Sequence, residues 1–107
     1  DEFQSQGTDK IAKRIRDRVG DNPLYLSIDI DVLDPAFAPG TGTPVSGGIA
    51  TWQALEFIRG LMNINFVGMD LVEVSPPFDH AEITSIAAAT IAHDWLCIMA
   101  KKIRNKK

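Results

Sequence analysis

The chain has 107 residues, 45% of them hydrophobic and 23% charged, with a formal net charge of −3. Those values exclude a disordered or low-complexity polymer and leave an ordinary globular sequence of at most one domain. The acidic balance, with a pI near 5.2, argues against a nucleic-acid partner. The tail Lys101-Lys102-Ile103-Arg104-Asn105-Lys106-Lys107 is locally basic, as expected of a frayed helix end whose cations suit the C-terminal dipole. The single cysteine, Cys97, cannot form an internal disulfide and fits a reducing compartment or a buried thiol. No apolar run approaches the ~20 residues of a membrane span, and the opening Asp1-Glu2-Phe3-Gln4 is no signal peptide. A start without methionine is expected of a fragment or a processed product.

In chain order, Ile11, Ile15 and Val19 recur at i, i+4 and i+8, which predicts a one-sided surface helix over Thr8–Val19, with Thr8 as N-cap and Gly20 as stop. Asp21-Asn22-Pro23 is a turn. Leu24–Ile30 is a short, β-favouring apolar run bounded by turn residues, which suits a parallel strand covered on both faces. From Asp34 to Gly48 the density of Pro, Gly, Thr and Ser predicts a long loop, and loops of that length in compact domains are usually functional. Thr51 offers an N-cap for a helix carrying Trp52, Leu55, Ile58 and Leu61 or Met62 on one face. Phe66–Val74 reads as a second buried strand, Ser75–Asp79 as a turn, and a helix of some eighteen residues starts near Ala81 and runs into the basic tail. The order α-β-α-β-α is a parallel α/β unit with a right-handed crossover.

The candidate chemistry gathers at strand ends. Side chains on a strand alternate, so Asp29 and Asp31 are expected on one face, after Tyr25 and Ser27. Glu73 ends the second strand. If the strands are parallel, Asp29, Asp31 and Glu73 reach one rim, where open α/β sheets place their ligands, and the Asp34–Gly48 loop leaves from it. Acids so placed are costly without a cationic partner. Carboxylates without thiols suit hard divalent ions, and a carboxylate can bridge two ions that activate water; an acid pair can also serve as general acid and base. The plain alternative is that Asp34 caps its turn and the other acids are solvated.

Two long motifs then carry a resemblance. Ser27-x-Asp29-x-Asp31-x-x-Asp34-Pro35 with Ala38-Pro39-Gly40-Thr41-Gly42-Thr43-Pro44 and Gly47-Gly48, and Asp70-Leu71-Val72-Glu73-Val74-x-Pro76, resemble the C-terminal third of the ureohydrolase family of arginases and agmatinases. The Gly-rich loop and Pro76-Pro77-Phe78-Asp79-His80-Ala81-Glu82-Ile83-Thr84 are most similar to agmatinases. The resemblance implies a three-layer α/β/α arginase-like fold, with residues 1–107 as the C-terminal part of the domain. It also implies that Asp29 bridges two Mn²⁺ ions, that Asp31 ligates one of them, that Glu73 binds the substrate guanidinium through paired hydrogen bonds, and that Thr43 lines the pocket. The implied substrate is agmatine or a similar guanidine, cleaved to urea and an amine in the cytoplasm, or in the mitochondrion of a eukaryote.

The family's remaining ligands, two histidines and two aspartates in Gly-Gly-Asp-His and Asp-Ala-His-x-Asp motifs, do not occur here. His80 and His93 are the only histidines and belong to no such motif; both are expected to be structural or surface residues, His80 being the better candidate for a contact at the pocket rim. The chain alone is therefore expected to be inactive and to assign no catalytic residue of its own. With two strands exposed at both edges, it is expected to self-associate or to join an N-terminal part. A catalytically dead association module and an unrelated small metal-binding domain are the alternatives. Trp52 and Trp95 are expected in the core or an interface, Cys97 as a small core residue, and Asp70 in a cap or loop pair without a catalytic role.

Overall fold

The computed structural model describes residues 6–105. The α-β-α-β-α order stands: α1 (Thr8–Val19), β1 (Leu24–Asp29), α2 (Thr51–Gly60), β2 (Phe66–Val72) and α3 (Ile83–Asn105), with short 3-10 turns at Ile30–Val32 and Pro76–Phe78. The first and last residues of the chain, including the end of the basic tail, lie outside the described residues. Lys102 and Arg104 sit in the last turn of α3, where their charge opposes the negative end of the helix dipole.

Helix ends differ by a residue or two from the expected caps. Gly7, at φ 84°, precedes α1, so Thr8 is its first helical residue and not its cap, while Gly20 stops the helix at φ 58°. Ala50 precedes α2, and the Gln53 side chain accepts the Ala50 amide at 2.8 Å, doing the work assigned to Thr51. α1 and α2 pack closely at Gly60, where an added Cβ would lie 2.8 Å from the Ala12 Cβ. Arg16 closes this contact by donating to the Gly60 carbonyl.

The two strands pair in parallel, with Tyr25 opposite Gly68, Ser27 opposite Asp70 and Asp29 opposite Val72. Leu26, Ile28 and Leu71 face a core built from Ile30, Leu33, Ile49, Ile58, Ala87, Ile91 and Ile98. A second cluster of Ala12, Leu61, Ile64 and Phe66 joins it through Trp95, whose ring meets Phe66 edge-on at 5.9 Å. Tyr25, Ser27 and Asp29 point to the opposite face and are exposed, so β1 is covered on one face and not on both.

Two further placements in the core are corrected. Trp52 is 63% exposed, because the buried stripe of α2 runs through Ala54 and Ile58. Cys97 is exposed, one position off the Thr84, Ala87, Ile91, Ile98 stripe that α3 buries, and its sulfur lies 3.7 Å from His93 Nδ1. α3 has 23 residues and contains an 18-residue stretch of mean hydropathy 1.4, so it is long and apolar enough to cross a membrane by length and composition alone. Here its stripe packs into the core.

Candidate active site

β1 ends at Asp29, and the backbone folds at once into the 3-10 turn Ile30–Val32, with Ile30 wholly buried as its anchor. Asp31 therefore does not continue the strand's alternation. The turn itself brings the two acids together: Asp29 Oδ1 accepts the Asp31 amide at 3.1 Å. Leu33 then forms a parallel bridge with Ile49, which closes the two ends of the long loop.

That loop is ordered by its own residues. Asp34 accepts the amides of Ala36 and Gly47, each at 2.9 Å, and donates its own amide to the Ile49 carbonyl. The Ala36 amide first, then that of Gly47, holds the Asp34 carboxyl below the usual carboxylate range. The third acid of the motif thus fastens the loop. Further along, Gly40 donates to Thr84 Oγ1 at 2.7 Å and accepts the Ser75 amide at 2.7 Å. Between these two anchors Thr43 donates its hydroxyl to Asp31 Oδ2 at 2.8 Å.

Parallel pairing delivers the second half of the rim. Because Asp29 lies opposite Val72, Glu73 emerges one residue further along the same edge. It does so at φ 71°, a left-handed backbone that costs a non-glycine residue on the order of 1 kcal/mol and is concentrated at functional sites. Among the described residues no lysine or arginine pairs with Asp29, Asp31 or Glu73, and the Glu73 carboxylate makes no hydrogen bond. Asp70, by contrast, is spent within the sheet: it accepts the Tyr25 hydroxyl at 3.1 Å and the Ser27 hydroxyl, tying β1 to β2.

One residue next to this site carried no role in the sequence. Asp79 accepts the amides of His80, Thr84 and Ser85 at 2.8, 2.9 and 3.1 Å, and the Ser85 hydroxyl at 3.1 Å. Burial pushes its carboxyl up, but the Thr84 and Ser85 amides, the Thr84 hydroxyl and the His80 amide together hold it well below the usual range. The available signal was an acid four residues before the apolar start of α3, where carboxylates satisfy free helix amides. Ala81 and Glu82, both at positive φ, intervene and hide that spacing. His80 and His93 are exposed, and neither joins the rim acids in a metal-binding group among the described residues.

The arginase family model matches residues 1–97. The chain belongs to the arginase family. It is 53% identical over 104 residues to an agmatinase of Photorhabdus laumondii, covering 97% of this chain and 34% of that protein. Its fold superposes on a hypothetical agmatinase from Burkholderia thailandensis with a TM-score of 0.93 at 50% identity, over 96% of this chain and 33% of the other. Proclavaminate amidino hydrolase from Streptomyces clavuligerus gives a TM-score of 0.88 at 47% identity, over 91% and 32%. The chain thus spans about a third of the length of the relatives it matches.

Membership of the arginase family implies a binuclear metal site, and the donors present fit part of one. Asp29 keeps Oδ2, and Asp31 keeps Oδ1, free of the hydrogen bonds that occupy their other oxygens. Both are hard oxygen donors that suit divalent ions. Among the described residues no third histidine, cysteine, aspartate or glutamate completes a group with them.

Proposed function

We propose that this chain is the C-terminal segment of a manganese-dependent agmatinase-like ureohydrolase, acting in the cytoplasm on agmatine or a closely similar guanidine. The observation that supports this reading is that Asp29, Asp31 and Glu73, none of them paired with a cation among the described residues, lie at the same end of the parallel strand pair, beside a loop that sets Thr43 against Asp31. The 53% identity to an agmatinase supports it.

In this reading Asp29 and Asp31 would hold Mn²⁺. A pair of divalent ions supplies, when bound, a nucleophile from water at neutral pH and charge stabilisation at the carbon under attack. Glu73 accepts two N–H bonds from the planar guanidinium, which fixes its plane and direction. Thr43 holds Asp31 Oδ2 and leaves the other oxygen for metal. The overall balance is guanidine plus water giving urea plus an amine. The segment completes its site, and covers its open sheet face, with residues beyond those present here or with further subunits.

The test is urea release by the complete polypeptide with Mn²⁺, comparing agmatine, guanidinobutyrate and arginine. Turnover of agmatine in preference to arginine is expected. Absence of urea from every guanidine, with metal bound, would sink the proposal.

A further inference from the structure

Resting on the reading of the rim given above, we infer that Asp79 is a positioning residue for the metal-ligand carboxylate of Asp31, acting through Gly40 and Thr43.

The path consists of contacts on both sides of one backbone position. Gly40 lies so close to Asp79 that a Cβ added to it would meet Asp79 Cβ at 2.7 Å and Asp79 Cα at 2.9 Å. Thr84, wholly buried, gives its amide to Asp79 and takes the Gly40 amide on its hydroxyl at 2.7 Å. Ser75, at the other end of the same turn, donates to the Gly40 carbonyl at 2.7 Å. The missing side chain, the amide and the carbonyl of Gly40 are thus all engaged by the segment that Asp79 organises.

Three residues further on, Thr43 meets Asp31. Residues Gly42 to Gly47 are exposed, and from Gly42 to Ser46 the Thr43 hydroxyl makes the one hydrogen bond that joins this stretch to other described residues. Where Thr43 sits is therefore set by Gly40 on one side and by the Asp34–Gly47 closure on the other. A residue serving only as a helix cap needs no such packing against a loop glycine. Partners that orient a metal ligand from outside the coordination shell affect metal affinity about 10- to 100-fold, so a displaced loop should be read in metal binding.

The experiment measures Mn²⁺ binding to the complete polypeptide by the electron paramagnetic resonance signal of free Mn²⁺, with thermal unfolding followed in parallel. Gly40→Ala forces the loop off Asp79 and is expected to raise the half-saturating Mn²⁺ concentration about tenfold. Thr43→Val should give the same shift, and the double variant no more than either alone. Asp79→Asn, which leaves Gly40 intact, should shift Mn²⁺ binding in the same direction, and it carries the comparison if Gly40→Ala does not fold. Variants that unfold at lower temperature yet bind Mn²⁺ as the wild type does would overturn the inference. A shift in Gly40→Ala without one in Thr43→Val would overturn the route through Thr43. A wild type that binds no Mn²⁺ overturns both this inference and the reading of the site; a wild type that binds it, with unchanged variants, overturns this inference alone.

Discussion

Asp34 accepts the amide of Gly47 at 2.9 Å, and this bond joins the two ends of a loop thirteen residues apart in sequence. The same carboxylate takes the Ala36 amide, so one side chain both starts the loop and closes it. Asp34→Ala removes both acceptors and leaves the Leu33–Ile49 bridge to hold the ends alone. Limited proteolysis between Gly42 and Ser46 is expected to accelerate severalfold while far-ultraviolet circular dichroism stays unchanged. An unaltered cleavage rate would mean that the loop is held by something else.

Gly48 sits where a side chain has no room. An added Cβ would lie 2.6 Å from the Asp34 amide nitrogen and 2.7 Å from the Val32 carbonyl oxygen, both backbone atoms that cannot rotate away. Overpacking of this kind costs about 1–3 kcal/mol. Gly48→Ala should lose that much in chemical denaturation, whereas Gly42→Ala, with nothing within 4 Å of its added Cβ, should lose far less.

Acid should loosen the turn that precedes α3. Asp79 and Asp34 both have folded values below their unfolded ones, about 3.9 for a free aspartate. Between the folded and unfolded values the unfolded chain binds more protons, so stability rises with pH there. The contribution is fully present above about pH 4 and is lost as the pH falls through the depressed folded values. Denaturation midpoints measured at about pH 5 and about pH 3 should separate in the wild type and draw closer in Asp79→Asn, the remaining gap being that of Asp34.

Tyr25, the only tyrosine in the chain, has its phenol pushed above the ordinary value, chiefly because its hydroxyl donates to Asp70, then through desolvation and the nearby charge. A raised folded value means that the stabilisation is present below about pH 10 and is lost as the pH rises through the folded value. A tyrosinate absorbance titration, taken as the difference from Tyr25→Phe, should move down in Asp70→Asn. An unmoved midpoint would contradict the contact.

Much of this molecule was legible in its sequence because the relevant signals were local. The apolar period of α1, the two short β-favouring runs and the loop between them each depend on residues that neighbour one another in sequence. Parallel pairing followed from the helical crossover, and it sufficed to bring Asp29 and Glu73 to one rim. What escaped was set by tertiary contact. Asp31 left the strand's alternation because Ile30 is drawn into the core and turns the chain. Cys97 and Trp52 lie on helices with apolar residues on more than one side, and only packing decides which side is buried. The Asp79–Gly40 contact joins residues far apart in sequence through a missing side chain, which no pattern of residue types records.

The most direct measurement is an anomalous difference map at the manganese edge from crystals of the complete protein. Peaks within coordinating distance of the Asp29 and Asp31 carboxylates, with Glu73 facing the same cavity and Thr43 still on Asp31, are the expected result. Manganese bound elsewhere, with those two carboxylates facing only solvent, would contradict the assignment of this rim as the active site.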